Sequence, residues 1–354
     1  MSRALNTLGQ IKSLDISVIT RSWEDNSNSE YKIITCNPKM AGRTERERAF
    51  AKEAQKYFSQ FDLVQSHERI LGCHIYRAGD GVHREWLNQR ARVLNPVKKR
   101  LLWCSPFHRY IMQQEQKMYA DSGLKAIICN SKMVAEEIKY YFGVPAEKIH
   151  LINNGVDTER FTPALKSEFR SAVRQQLGIS EDAATMLFIG SGFERKGLLG
   201  ALHAISLPSD TKTHLIVVGK DKRQSIYQKA VNRLNLGKRV HFVGVQSDPR
   251  PYYGAADMLL LPTLYDPFPN VILEAMASGL AVITSTKCGG KELVRSGENG
   301  FICDALDYKM LQFFVAQAKS IGFIQLGENA RRTAEPYNHT FLGQNMFRLY
   351  QSLL

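Results

Sequence analysis

The chain of 354 residues lacks most of the features that announce a function class. Its six cysteines (Cys36, Cys73, Cys104, Cys129, Cys288 and Cys303) are scattered, and no C-x-x-C occurs. That excludes a zinc ribbon or a disulfide framework and predicts buried, reduced thiols. No apolar run approaches the ~18 residues of a membrane span. The opening stretch MSRALNTLGQIKSLDISVIT has no signal-peptide core followed by a cleavage site, so a cytoplasmic location is expected. No D-x-D and no His/Asp/Glu cluster with ligand spacing is present, and no required divalent ion is expected. G-x-S-x-G and G-x4-G-K-[ST] are absent, which removes the serine-elbow hydrolases and the P-loop enzymes. Acid is scarce: 34 Asp and Glu face 47 Lys and Arg, a net charge of +13. Such a balance calls for an anionic partner. No zinc-finger spacing, basic heptad region or RNP-type strand points to nucleic acid. Phosphate-bearing small molecules and lipid surfaces remain.

What is there is alternation. Apolar, β-branched runs at 15–22, 31–36, 61–67, 72–79, 125–131 and 148–155 are separated by helical patterns such as 43–60 and 132–143. A second set of runs follows at 184–191, 213–219, 239–244, 256–263 and 280–285. Strands alternating with helices predict parallel sheets covered on both faces, here two doubly wound α/β domains. The join falls in NNGVDTERFTP (153–163), where Asn-Gly and Pro163 mark a linker. The segment after Pro163 reads as a polar helix ending at Gly178, and 336–354 as a terminal helix.

Ligands of open parallel sheets bind at the carboxyl ends of strands. Three stretches place chemistry there. In YDPFPNVILEAMASG (265–279), Asp266 lies in a loop after a strand and Glu274 about one turn into the following helix. Free N–H donors at a helix start attract phosphate, and a carboxylate accepts hydrogen bonds from vicinal hydroxyls. Two acids flanking a helix start therefore suit a nucleotide-sugar. An ordinary capping loop with a solvated Glu274 explains the same spacing. In FIGSGFERKG (188–197), Arg195 and Lys196 stand between a Gly-rich turn and a helix, as phosphate ligands or as a solvated basic turn. In SHERILGCHIYRAGDGVHREWL (66–87), His67, Asp80 and His83 fall at strand ends; Asp80, between two glycines, is the best placed to approach a ligand. Separately, Arg84, Arg90, Arg92, Lys98, Lys99 and Arg100 interleave with Trp86, Leu94, Leu101 and Trp103. That pattern fits an anionic membrane surface or a solvated helix face packed on its own core.

In their order along the chain these stretches resemble family 4 of the retaining glycosyltransferases, which have the GT-B fold. YDPFPNVILE resembles that family's E-x7-E motif, NNGVDTERF its hinge, SGFERKG its phosphate-binding loop, and HFVG with YYGAADMLLLPT the run leading to the motif. Shorter stretches, TRSWE (20–24), GSGFERKG (190–197), VVGKDK (217–222), TSTKCGG (284–290) and GENARR (327–332), resemble the glucosyltransferases of the lipopolysaccharide core. The resemblance implies two Rossmann-like domains facing a cleft: 1–158 binding acceptor, 159–335 binding nucleotide-sugar, and a helix at 336–354 crossing back. It implies transfer of a hexose, glucose from UDP-glucose, onto the heptose region of the core. It also implies attachment to the cytoplasmic face of the inner membrane.

By the same resemblance, Asp266 contacts the sugar hydroxyls and Glu274 the ribose. Arg195 and Lys196 hold the diphosphate, and Val243, Gly244 and Val245 line the uracil. Pro269 and Asn270 open the motif helix, and Asp80 sits near the reacting sugar. No protein nucleophile and no cofactor is implied, since the nucleotide-sugar is itself a substrate.

Two departures qualify these expectations. The first motif acid is Asp266 rather than Glu, one methylene shorter, so the sugar sits closer or a water bridges. The family's opening strand and Gly-rich loop, roughly 15–20 residues, are expected to be missing before MSRALNTLGQ. A family member with another donor in surface-polysaccharide synthesis, and a non-catalytic nucleotide-sugar-binding fragment, are the alternative readings.

Overall fold

The structure is a computed structural model that describes residues 8, 14–23 and 31–354. Except for Leu8, the opening stretch 1–10 and Glu24 of the TRSWE match lie outside the described residues. The chain divides into two compact units, Met1–Asn153 with His339–Leu354, and Asn154–Asn338.

Unit 1 contains β1 (Ser17–Thr20), β2 (Lys32–Thr35), α1 (Arg43–Gln55), β3 (Gln65–Ser66), β4 (Ile75–Arg77) and α2 (His83–Ala91). They are followed by α3 (Pro96–Cys104), α4 (Pro106–Tyr119), β5 (Ala126–Cys129), α5 (Lys132–Phe142) and β6 (Ile149–Leu151). Its strands form two parallel sheets among the described residues, β1-β2 and β3-β4-β5-β6. The apolar run at 61–67 contributes only a two-residue strand. Helix starts follow local chemistry. The Asn95 side chain caps α3 by accepting from Lys98 N, with Pro96 in the first turn. Ser131 caps α5 by accepting from Val134 N, and Gly143 closes that helix at φ 62°. Strand β5, Ala-Ile-Ile-Cys, is buried throughout. One of its faces packs with Met118, Val134 and Ile138. The other packs with Leu342, Met346 and Leu349 of the C-terminal helix His339–Leu353. Coverage of both faces explains why that strand is uniformly apolar.

Unit 2 runs α6 (Leu165–Leu177), β7 (Thr185–Ile189), α7 (Phe193–Lys196), α8 (Leu198–Ala204), β8 (His214–Val218), α9 (Gln224–Arg233) and β9 (Val240–Gly244). It continues with α10 (Arg250–Ala255), β10 (Met258–Leu261), α11 (Asn270–Ala277), β11 (Ala281–Ser285), β12 (Gly300–Cys303), α12 (Tyr308–Ile321) and α13 (Phe323–Ala334). Six parallel strands lie in the order β12-β11-β10-β7-β8-β9, over one continuous core. The order reverses between β7 and β10. The chain leaves β7 towards β8 and returns on its other side at β10. Their following loops therefore emerge side by side at the carboxyl edge of the sheet, the switch point where such folds bind ligands. Strand β12 was not anticipated from the sequence, although Asn299-Gly300 is a turn signal immediately before its apolar residues.

Candidate functional site

Construction of the site begins with three glycines. Gly190, after β7, has φ 144°, and a Cβ there would lie 3.0–3.3 Å from the side-chain carbons of Lys196. The lysine stem thus lies across bare backbone. Gly219 has φ 129°, and its Cβ would fall 2.4 Å from Gly190 O, so the β7 and β8 exits touch backbone to backbone. Gly197 ends α7 at φ 81°, and its Cβ would lie 1.8 Å from Pro262 O. Only glycine permits all three approaches.

That closeness lets the two loops lock together. The Arg195 carbonyl accepts from Thr263 Oγ1 at 2.7 Å and from Leu264 N at 2.8 Å. Asp266 N donates to Lys287 O, and Asp266 O accepts from Gly289 N, which ties the same loop to the exit of β11. Arg195 and Lys196 precede helix α8, as the sequence suggested, but they do not lie in an irregular turn. They form the last two residues of the one-turn helix α7, between two left-handed glycines. This turn points both cations at one atom. Arg195 Nη1 lies 2.7 Å and Lys196 Nζ 2.8 Å from Asp266 Oδ2. Asp266 and Lys196 are buried, while the Arg195 side chain is 39% exposed. Two cations share one carboxylate, so the cluster keeps an excess positive charge on its open side. A phosphate group placed there meets both a planar guanidinium fork and an ammonium.

Pro269 and Asn270 open α11 next to this cluster, and the Asn154 side chain donates to Phe268 O at 3.2 Å and to Asn270 Oδ1 at 2.8 Å. Glu274, the fifth residue of α11, is not solvated. It is buried, and its Oε2 accepts from Tyr253 Oη at 2.9 Å. Burying a carboxylate is costly unless it is hydrogen-bonded, and the tyrosine supplies one such bond. At the neighbouring edge, Gly244 ends β9 at φ 75° and its carbonyl accepts from Gly219 N at 2.7 Å. Val245 beside it is an exposed apolar side chain, and Gln246 Nε2 donates to Val243 O. The carboxyl edge of unit 2 thus carries, in one row, an apolar lip at 243–245, a cationic pair at 195–196 and two acids at 266 and 274.

Asp80 lies in unit 1, on the turn between β4 and α2. Its side chain is 72% exposed, and its Oδ2 accepts from Arg69 Nη1 at 3.0 Å. Sequence reasoning missed Arg69 and its buried partner Glu115, which accepts from Arg69 Nε at 3.1 Å and from His83 N at 3.0 Å. The two are 46 residues apart, and no local signal joins them. His67 Nε2 lies 3.2 Å from the Gln65 side-chain nitrogen. Burial, with Arg77 nearby, lowers its pKa to about 4. Five cysteines are buried and Cys104 is exposed. Among the described residues no group of three or more His, Cys, Asp or Glu side chains could hold a metal ion, and no helix is long and apolar enough to cross a membrane.

Two parallel α/β units, the second with its site at the switch point, define the GT-B class of transferases. Residues 2–160 match the family model described as Glycosyltransferase Family 4, and residues 169–331 that described as Glycosyl transferases group 1. The chain therefore consists of a family 4 domain followed by a group 1 domain, in a GT-B fold. It is similar to the lipopolysaccharide glucosyltransferase WaaG of Escherichia coli K12, at 26% identity over 328 residues, which is 90% of this chain and 86% of that protein. It is 29% identical over 221 residues to the lipopolysaccharide core biosynthesis glycosyltransferase LpsE of Rhizobium meliloti 1021, covering 62% and 59% of the two chains. Among solved structures, that of WaaG, a glycosyltransferase involved in lipopolysaccharide biosynthesis, matches with a TM-score of 0.82 at 23% identity, over 98% of this chain and 94% of the other.

Proposed function

We propose that this protein is a retaining glycosyltransferase of lipopolysaccharide core assembly, moving glucose from UDP-glucose onto the heptose region of the core. The observation that carries the reading is the convergence of Arg195 and Lys196 on Asp266 at the carboxyl edge of unit 2, with Glu274 one helix turn further on. The similarity to WaaG and LpsE over most of the chain supports the acceptor class.

In this reading the diphosphate of the donor draws Arg195 and Lys196 away from Asp266. The carboxylate then turns to the hydroxyls of the sugar, Glu274 takes the ribose, and the lip at Val243, Gly244 and Val245 takes the uracil. As the bond to the anomeric carbon breaks, negative charge grows on the leaving phosphate. The two cations, now on the diphosphate, are stronger partners for that charge than for the ground state, which lowers the barrier. The acceptor attacks from the side the leaving group vacates, and a phosphate oxygen takes its proton. Asp80 orients the acceptor side of the reacting sugar. No divalent ion is required, since the two side-chain cations carry the neutralising role.

A membrane role belongs to the same proposal. Helix α3 exposes Val97 and Leu101, 70% and 65% accessible, beside the exposed Lys98, Lys99 and Arg100. An apolar pair one turn apart, ringed by cations, fits an anionic leaflet at the cytoplasmic face of the inner membrane.

The deciding experiment is release of UDP from UDP-glucose with truncated lipopolysaccharide present or absent, beside other UDP-sugars. Acceptor-dependent release from UDP-glucose supports the reading. Release only from another nucleotide-sugar would replace the donor, and binding of UDP-sugars without any release would make the protein a non-catalytic binder.

A further inference from the structure

Unit 1 holds a second cluster of charged and titratable groups that the donor site does not use. His83 opens α2, and its ring Nε2 lies 3.0 Å from Nδ1 of His108 near the start of α4. A hydrogen bond between two imidazoles needs one donor and one acceptor, so at least one ring is neutral. Phe107 stands edge-on to both rings, at centroid distances of 6.3 and 5.5 Å. Arg43 of α1 lies over Phe107, its guanidinium 3.9 Å from the ring centroid.

The charged groups acting on the two histidines are Arg43 from α1, Arg69 from the segment between β3 and β4, and Arg90 from α2. All are cations. Both nearby carboxylates are committed elsewhere: Glu115 to Arg69 and the His83 backbone N–H, Asp80 to Arg69. Burial and these cations together drive the His83 pKa to about 3 and hold that of His108 below its usual value. Three elements thus bring a guanidinium and two imidazoles to one place, and the carboxylates nearby are already paired with Arg69 and the His83 backbone.

We propose that Arg43, His83 and His108 form an oxyanion subsite in unit 1 that takes a phosphate or carboxylate group of the acceptor saccharide. The identity of the acceptor rests on the transferase reading; the subsite does not. A planar guanidinium and two imidazoles around an aromatic ring suit an oxyanion with several acceptor atoms. An anion placed among them favours the charged imidazolium, so binding draws a proton onto the pair.

The test is an NMR titration of the histidine ring nitrogens of the full chain with inorganic phosphate, followed by glucose 1-phosphate. The expected result is a saturable shift of the His83 and His108 signals with a rise in their pKa values. Arg43→Ala, at an exposed position, should leave the fold intact and weaken phosphate binding about tenfold by removing a charge-assisted hydrogen bond. Ring signals indifferent to phosphate, or a phosphate response unchanged in Arg43→Ala, would overturn the subsite. A phospholipid headgroup presents the same chemistry. Rings that respond to phosphatidylglycerol vesicles, but to neither soluble phosphate, would overturn the acceptor assignment. The titration involves neither donor nor turnover, so its failure is distinct from that of the transferase reading.

Discussion

The two units solve the same architectural problem differently. In unit 2 six parallel strands of four or five residues share one core, and the candidate donor residues grow out of that sheet. Asp266, Lys196 and Glu274 are buried, and their loops are locked by backbone contacts that only glycines allow. In unit 1 the strands have two to four residues, the sheet is in two pieces, and the apolar side chains form several smaller clusters. Its candidate residue Asp80 is exposed and is held by Arg69 beneath it. A rigid, preorganised edge suits a small ligand of fixed shape, since little has to be ordered on binding. A shallower unit with exposed cations suits a larger partner approached from solvent or from a membrane surface.

The largest expected effects break this contrast at one end of each unit. Asp266→Ala removes the carboxylate that Arg195 and Lys196 share and leaves Lys196 buried beside another cation. Loss of one partner from a buried ion group costs about 3 kcal/mol here, the low end of the usual range, because Arg195 is partly exposed and water screens it. Chemical denaturation should show this loss, and transfer should fall with it. If Asp266→Ala were as stable as wild type, the preorganised view of unit 2 would be wrong. In unit 1, reversing the charges of Lys98, Lys99 and Arg100 should weaken binding to anionic vesicles by about 1 kcal/mol or more per residue. UDP-sugar affinity should stay put. Unchanged vesicle binding would return α3 to an ordinary solvated helix.

The same contrast explains what was legible in the sequence. Strands β7, β8, β10 and β11 were readable because burial on both faces turns each into a short, continuous apolar run. The E-x7-E-like stretch was readable because its acids, its loop and its helix are contiguous. The Arg195, Lys196 and Asp266 triangle was not. Asp266 lies 70 and 71 residues from the two adjacent cations, and the contact depends on a backbone approach at Gly197 that no periodicity encodes. Arg69, Glu115 and His108 escaped for the same reason. They meet only because α4 packs beside α2, and each by itself looks like an ordinary polar residue on a helix or loop. Strand β3 failed in the other direction: its run is apolar over 61–67, yet only Gln65–Ser66 pairs with β4.

A smaller effect sharpens the donor side. Glu274→Ala removes a buried carboxylate from α11 and leaves the Tyr253 hydroxyl without that acceptor. Donor affinity should drop by about 1–3 kcal/mol, the cost of a lost hydrogen bond to a charged group. Glu274→Gln retains an acceptor for Tyr253, so it should keep the fold close to wild type while donor affinity still falls. Equal donor affinity in both variants and wild type would move the ribose site away from α11.

The smallest effect concerns acid. In unit 2, His214 Nδ1 lies 3.0 Å from His241 Nε2 on adjacent strands, with the rings stacked 10° from parallel. Burial and the facing His214 lower the His241 pKa from 6.5 to about 4, and burial with Arg239 and Arg174 lowers that of His214. A histidine whose folded pKa is depressed binds its proton more readily in the unfolded chain. Its contribution to stability is complete above about pH 6.5 and is lost as pH falls towards about 4. His241→Phe retains an aromatic ring against His214 and removes the titration. It should flatten the acid limb of unit 2 by roughly 1 kcal/mol, a value discounted because the ring is only half-buried. Hydrogen exchange can follow the two units separately. His67 and His83 of unit 1, with pKa values of about 4 and 3, keep their own acid sensitivity in this variant. Flattening should therefore be confined to amides of β8 and β9. A uniform change across both units would mean that they open together, and that the contrast in burial does not extend to their stabilities.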